Sequence, residues 1–155
     1  MDAFDIKILS YLQSQGRASY QEVGDAVGLS LSASHKRVKA LENDGTITGY
    51  CAPVKEEKVG FSVSTYVQVR LRDQQQATLE AFEAQVVRHP EIMDCVLMAG
   101  DIDYLLRILC KGVEDYERIH HHILTALPGV ERLNSNFALR TVCRRTQVPI
   151  TLSRP

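Results

Sequence analysis

No stretch of apolar residues in the 155-residue sequence approaches the roughly 20 that a membrane-crossing helix needs, and a basic-then-apolar signal pattern is absent from its start. The expectation is a cytoplasmic chain with no membrane partner. Cysteine is sparse. Cys51, Cys95, Cys110 and Cys143 are widely spaced without a CxxC pair, so neither a zinc site nor a disulfide framework is expected, and buried free thiols are. Charge of one sign is not in excess: 18 Lys and Arg against 19 Asp and Glu leave a net charge of -1. That argues against a protein that coats nucleic acid nonspecifically and requires any basic surface to be local. A GxSxG serine or other activated nucleophile is also missing, so neither an enzyme nor a cofactor is expected. With 45% hydrophobic and 24% charged residues, what remains is an ordinary globular composition, enough for one domain or two small ones.

Three short helices are predicted first. From Asp2 to Gln15, the residues Phe4, Ile8, Leu9, Tyr11 and Leu12 recur near helical spacing, and Gly16 suits a left-handed C-terminal position. Ser19 and Glu22 fit a capping box, in which hydroxyl and carboxylate each satisfy a free backbone N–H, and open a helix to Val27 that Gly28 stops. Ser30 caps a third helix to about Asp44, with Gly45 as its stop. Such helices joined by tight turns, the last two by "GLS", form the helix-turn-helix pattern. The following "TITGYCAPV" predicts a small wing or an outgoing strand.

Beyond Lys55-Glu56-Glu57-Lys58 the hydrophobic period shortens to two. Val63, Thr65, Val67, Val69 and Leu71 alternate with Ser64, Tyr66, Gln68 and Arg70, which predicts a strand with unlike faces. Leu79, Phe82, Val86 and Val87 mark one side of a helix that stops at His89-Pro90. Strands are predicted over Ile92 to Met98 and Tyr104 to Cys110, joined by "AGDID". A further helix, with Tyr116, Ile119, Ile123 and Leu127 on one face, closes at Pro128-Gly129, and a last strand runs from about Val130 to Arg144. The order β-α-β-β-α-β predicts an α+β, ferredoxin-like domain with both helices on one face of an antiparallel sheet. The other face then lacks cover. Val63, Val67 and Val69, with Leu133, Phe137 and Leu139, supply more apolar surface than one face needs, so a second subunit is expected to bury the rest.

On a wheel of about 100° per residue, the third helix turns Ser34, Val38, Leu41 and Gly45 inward and Ser32, Lys36, Lys39 and Asn43 outward, with His35 and Arg37 flanking the core stripe. Between Leu31 and Leu41 there are three basic residues and no acidic one. On charge alone this is a solvated Lys/Arg face. Placed after a tight helix-turn, it is what a recognition helix in a DNA major groove requires, with cations for phosphates and short side chains for close approach. His120-His121-His122 does not suit a metal, because consecutive helical residues diverge; His120, on the apolar face, reads as a packed, hydrogen-bonded histidine. Asp101 and Asp103 are ordinary turn chemistry. They lack the further oxygens of an EF-hand loop, and binding of a small zwitterion by their carboxylates and nearby backbone groups stays open beside the turn reading.

The stretches "DAFDIKILSYLQSQGRAS", "VGLSLSASHKRVKALENDGTITGY", "GDIDYLLRI" and "LPGVERLNSNFALRTV" together resemble the Lrp/AsnC, or feast/famine, transcriptional regulators over Asp2 to Pro149. The resemblance implies a winged helix-turn-helix DNA-binding domain over 1–50, a linker or strand over 51–61, and a ferredoxin-like effector-binding domain over 62–155. It implies double-stranded DNA as partner, sheet-mediated homodimers that often assemble into octamers, and an amino-acid effector held between subunits. Carried over by position, it places Ser32, Ser34, Lys36, Arg37 and Lys39 at DNA, Arg37 meeting phosphate. Gly100, Asp101, Asp103 and Tyr104 fall in the effector turn, and Leu97, Met98, Ser135, Asn136 and Phe137 on the site's walls in the same or the adjoining subunit. Leu97, Met98 and Phe137 hint at an apolar effector such as leucine or methionine. Leu31 departs from the family's frequent proline at the first helical position. An effector-independent architectural DNA-binding protein, or a small metabolite-binding module or metal-dependent enzyme using Asp101 and Asp103, are the alternatives.

Overall fold

The computed structural model describes residues 1–150 and divides them into two units: Met1–Pro53 with 142–150, and Val54–Thr141. The second unit thus ends earlier than the expected 155. The reason is a set of contacts made by the tail: the Val148 N–H donates to Gln13 Oε1 (2.5 Å), Gln13 Nε2 donates to the Val148 carbonyl (3.1 Å), and Ile150 packs on the first unit's core.

In the first unit, caps start the helices. Helix α1 (Ala3–Ser14) begins at a capping box that the residue pattern alone did not reveal, in which Asp2 accepts from the Asp5 N–H while the Asp5 side chain accepts from the Asp2 N–H. Helix α2 (Tyr20–Val27) has the expected Ser19–Glu22 box. Helix α3 (Leu31–Asn43) starts where the Ser30 hydroxyl accepts from the Ala33 N–H at 3.2 Å, so Leu31 initiates it without proline. Gly28 (φ 80°) and Gly45 (φ 78°) adopt the left-handed conformation expected of helix stops. Gly16 does not: α1 ends through Gln15. Ile8, Leu9, Leu12, Val23, Val27, Val38 and Leu41 form the core. At Gly24 the helices approach so closely that a Cβ would lie 2.7 Å from the Leu29 carbonyl oxygen. The expected wing or strand over 46–54 is not formed. The Ile47 N–H closes onto the Leu41 carbonyl (2.8 Å), after which this segment has no ladder partner among the described residues.

In the second unit, a 3-10 turn (Glu56–Val59) lies where a linker or strand was expected. It precedes β1 (Val63–Leu71), α4 (Gln76–Val86), β2 (Ile92–Leu97), β3 (Tyr104–Cys110), α5 (Val113–His122) and β4 (Val130–Phe137), and the antiparallel sheet has the order β2-β3-β1-β4. Val67, Val69 and Leu71 are buried with Phe82, Val86, Ile119 and Leu124 in one core, each fully buried large apolar side chain contributing about 1.5–3 kcal/mol. Val87 is 81% exposed because α4 stops at Val86. Strand β4 stops at Phe137 rather than Arg144, since its pairing partner β1 begins at Val63.

Register also corrects the expected open face. Thr65 lies opposite Phe137, and Val69 opposite Leu133, so the apolar parities of both strands share the helix-covered face. The open face instead presents Tyr66, Gln68 and Arg70 of β1, Leu105 and Arg107 of β3, and Arg132, Asn134 and Asn136 of β4. Of the cysteines only Cys110 is buried; Cys51, Cys95 and Cys143 are exposed.

Candidate nucleic-acid interface and ligand pocket

Ser32, His35, Lys36 and Lys39 are exposed along one face of α3, at i, i+3, i+4 and i+7. Lys36 has no ion-pair partner among the described residues, whereas Lys39 Nζ lies 2.7 Å from Glu42 Oε2. Glu42 Oε1 in turn accepts from the Tyr50 hydroxyl (2.9 Å), and burial, followed by this bond, pushes the Tyr50 phenol up to about 12. His35, placed at the edge of the core by the wheel, lies on the exposed face with its ring edge-on to Tyr20 (4.7 Å). Its spacing from Ser32 and Lys39 was the signal that could have placed it.

Two residues expected at DNA are committed elsewhere. Ser34 is fully buried, its hydroxyl donating to the Tyr20 carbonyl (2.6 Å) and the Leu31 carbonyl (2.9 Å), because it packs where α3 meets Gly24 of α2. Arg37 is half-buried, with one guanidinium nitrogen 2.8 Å from Asp2 and 2.7 Å from Asp5 and its charge over the Phe4 ring at 5.4 Å. It ties α3 to the acidic N-terminus of α1 instead of presenting a free cation on the outer face.

The β2–β3 turn is built around Gly100, whose φ of +143° suits glycine alone. Leu97, Met98, Gly100 and Asp101 are exposed. Asp103 is not: at 6% exposure its carboxylate accepts from the Leu71 N–H (2.7 Å) and from Gln74 Nε2 (2.7 Å), and its N–H donates to the Val69 carbonyl (3.0 Å). It clamps the end of β1 to the start of β3. Tyr104 is buried under α4, its hydroxyl donating to Glu83 Oε1 (2.6 Å) and its ring 4.5 Å from Phe82; burial first, then Glu83, push its phenol well above the ordinary range.

The expected wall residues divide. Ser135 shares a hydrogen bond with the Tyr116 hydroxyl, and Phe137 meets the Tyr116 ring edge-on at 4.9 Å, both on the helix-covered side, while Asn136 is on the open face. Strands β2 and β4 form opposite edges of the sheet, about 14 Å apart at three strand spacings. Leu97 and Met98 therefore do not join Ser135–Phe137 within one chain. What Asp101 does join was missed in the sequence: with Arg70, Arg132, Gln68, Asn134 and Ile102 it lines a cavity of about 250 Å³ on the open sheet face. Asn134 Nδ2 donates to Gln68 Oε1 (3.2 Å) across its floor. Strand parity was the available signal.

Among the described residues no three His, Cys, Asp or Glu are grouped to hold a metal. The His120 ring lies 6.1 Å from that of Tyr116, and the expected hydrogen bond to it is not found among the described residues. No helix among the described residues is long and apolar enough to cross a membrane.

A capped helix-turn-helix and a βαββαβ sheet domain in one chain define a DNA-binding protein with a ligand-binding-type module. Residues 1–48 match the family model described as winged helix-turn-helix DNA-binding, and residues 64–148 match that of the Lrp/AsnC ligand binding domain. The chain belongs to the Lrp/AsnC family of DNA-binding transcriptional regulators, whose members named below are regulators and not enzymes. It is 38% identical to the Bkd operon transcriptional regulator of Pseudomonas aeruginosa, over 97% of this chain and 98% of that one. It is also 38% identical to the proline dehydrogenase transcriptional activator of Rhodobacter capsulatus, over 92% of each. The crystal structure of a Neisseria meningitidis transcriptional regulator in complex with L-Met superposes with a TM-score of 0.91 at 31% identity, covering 96% of both chains.

Proposed function

We propose that this regulator binds operator DNA in the cytoplasm as a homodimer, or a higher assembly such as an octamer, and that an amino acid shifts both its assembly and its DNA affinity. The observation that carries the reading is the outward face of α3, where Ser32, His35, Lys36 and Lys39 form a continuous polar and basic stripe behind a tight, capped turn. Cations on such a stripe meet phosphates while its short and hydrogen-bonding side chains face base edges. A two-fold dimer places two such helices about 34 Å apart, or a multiple of it, on a near-palindromic site. The sheet face that no helix covers is the surface for the second subunit. The L-Met complex of the Neisseria relative supports an amino acid as effector. Such a ligand acts by binding one assembly state more tightly than another, and the shift cannot exceed that difference in affinity.

The test is fluorescence anisotropy on genomic DNA fragments with and without each amino acid, paired with light-scattering mass. Selective binding of a few fragments, with affinity and mass both changed by an amino acid, is expected. Binding to all fragments alike, unaltered by any amino acid, would establish an architectural role and overturn the proposal.

A further inference from the structure

We infer that the two lysines of the α3 stripe meet DNA differently: Lys36 pairs with phosphate, whereas Lys39, braced by Glu42 and Tyr50, reads a guanine edge and is the specificity-determining cation. This rests on the reading of α3 as the recognition helix. Lys36 is exposed and has no ion-pair partner among the described residues. Lys39 is anchored: its ammonium lies 2.7 Å from Glu42 Oε2, and Glu42 Oε1 accepts from the Tyr50 hydroxyl at 2.9 Å. An exposed ion pair one turn apart on a helix is ordinarily loose, and Lys before Glu is the less favourable order. Here the carboxylate is not free to turn. The Glu42 side chain is only 22% exposed, and its second oxygen is tied to a residue beyond the end of the helix. Glu42 first, and Tyr20 after it, raise the Lys39 ammonium above its ordinary value; Tyr20, whose ring also meets His35 edge-on, thus closes the same brace from α2.

Charge selects the contact. Lys39 and Glu42 together carry no net charge, so a phosphate that approaches the ammonium also approaches a carboxylate and gains little. A base edge carries no net charge for Glu42 to repel. The ammonium has three donors, of which Glu42 takes one. Guanine offers O6 and N7 as adjacent acceptors in the major groove, whereas adenine sets its N6 donor against the ammonium. Lys36, with no carboxylate beside it, keeps its full charge for a phosphate and for the counterions released there. From Ser32 to Lys39 the stripe runs about 10.5 Å along the helix axis, within the major groove's width of about 12 Å.

The experiment gives the full chain a library of duplexes with ~30 random base pairs, about three helical turns, and sequences those it selects. Fluorescence anisotropy then measures affinity against salt on the best selected duplex and on the unselected library. Wild type is compared with Lys36→Ala, Lys39→Ala, Glu42→Gln and Tyr50→Phe, each verified by circular dichroism to keep the fold. Lys36→Ala should select the wild-type motif, bind both probes more weakly and lower the salt slope by about 0.9. Lys39→Ala should keep the slope and lose a guanine preference of roughly tenfold to a hundredfold at one position of each half-site. Glu42→Gln frees the Lys39 charge, so it should bind the unselected library more tightly, raise the slope by about 0.9 and blunt the guanine preference. Damage to the fold would not strengthen binding. Tyr50→Phe should move in the same direction by less. The inference is overturned if Lys39→Ala selects the wild-type motif and lowers the slope as Lys36→Ala does, which would make both lysines phosphate contacts, or if Glu42→Gln leaves library affinity and slope unaltered. Either result keeps α3 as the recognition helix. No effect of either lysine on affinity, slope or motif overturns that reading together with the inference, and a wild-type chain that selects no motif overturns the inference because no base is read.

Discussion

Replacing Asp103 by alanine removes the one side chain that joins the end of β1, Gln74 and the start of β3. Two charge-assisted hydrogen bonds of 2.7 Å disappear, and one of their donors, the Leu71 N–H, is backbone inside a strand whose side chain is 4% exposed. A bond to a charged group contributes about 1.5–3 kcal/mol and an orphaned buried donor costs about 1–3 kcal/mol; since the two overlap, about 3 kcal/mol is expected. With a urea slope of ~1.5 kcal/mol/M for a unit of this size, the midpoint falls by about 2 M. Urea unfolding followed by circular dichroism reads the shift, and hydrogen exchange at the Leu71 amide reads its cause. Asp103→Asn keeps an acceptor and should lose about half as much. A midpoint within ~0.3 M of wild type, with the Leu71 amide still protected, would refute the clamp. The clamp also reinterprets any effector phenotype at this position. Asp103→Ala should lose ligand response together with stability, whereas Asp101→Asn should lose it at unchanged stability.

Lys36→Ala with Lys39→Ala should weaken DNA binding at all sequences and reduce the slope of log affinity against log salt by about 0.9 for each phosphate no longer neutralised; an unchanged slope in an anisotropy titration would remove these lysines from the interface. Gly24→Ala should lower Tm at a cost of about 1–3 kcal/mol, because its Cβ meets the Leu29 carbonyl oxygen at 2.7 Å and Ser34 Oγ at 3.3 Å; a Tm equal to wild type in a melting curve would contradict that close approach. Acid should destabilise the first unit through its caps. The Ser19 N–H holds Glu22, and the Asp5 N–H holds Asp2, below their ordinary values of 4.5 and 3.8. The stability they contribute is therefore complete above those values and is lost as pH falls through the lower folded ones. Glu22→Gln, which removes the titrating carboxylate, should flatten this acid-side loss when Tm is followed from pH 6 to below 3; an unchanged profile would show that the box is not a source of it.

Most of the framework could be read from neighbouring residues. The Ser19–Glu22 box, the Gly28 and Gly45 stops, the change from a helical to a two-residue period and the β-α-β-β-α-β order all reappear in the structure. What was not legible is where one side chain had two possible partners. Ser34 and Arg37 were expected at DNA, and the structure gives one the Tyr20 carbonyl and the other Asp2 and Asp5 as partners. Asp103 and Tyr104 were expected in an effector turn, and the structure ties one to Leu71 and the other to Glu83. None of these partners is close in the chain, so no periodicity reports them.

Local sequence thus determined most of the helical and strand segments and where the first three helices begin, because caps, left-handed stops and side-chain periods involve residues no more than about four apart. Tertiary structure alone decided that Thr65 faces Phe137 and Arg70 faces Arg132, that β2 and β4 are the sheet's two edges, and that the tail at Val148 returns to Gln13. Those outcomes depend on register and packing between residues some 60 to 135 positions apart, where a shift of one residue exchanges the faces of an entire strand. The same register sets Arg70 opposite Arg132, with Asp101 lining the same surface pocket.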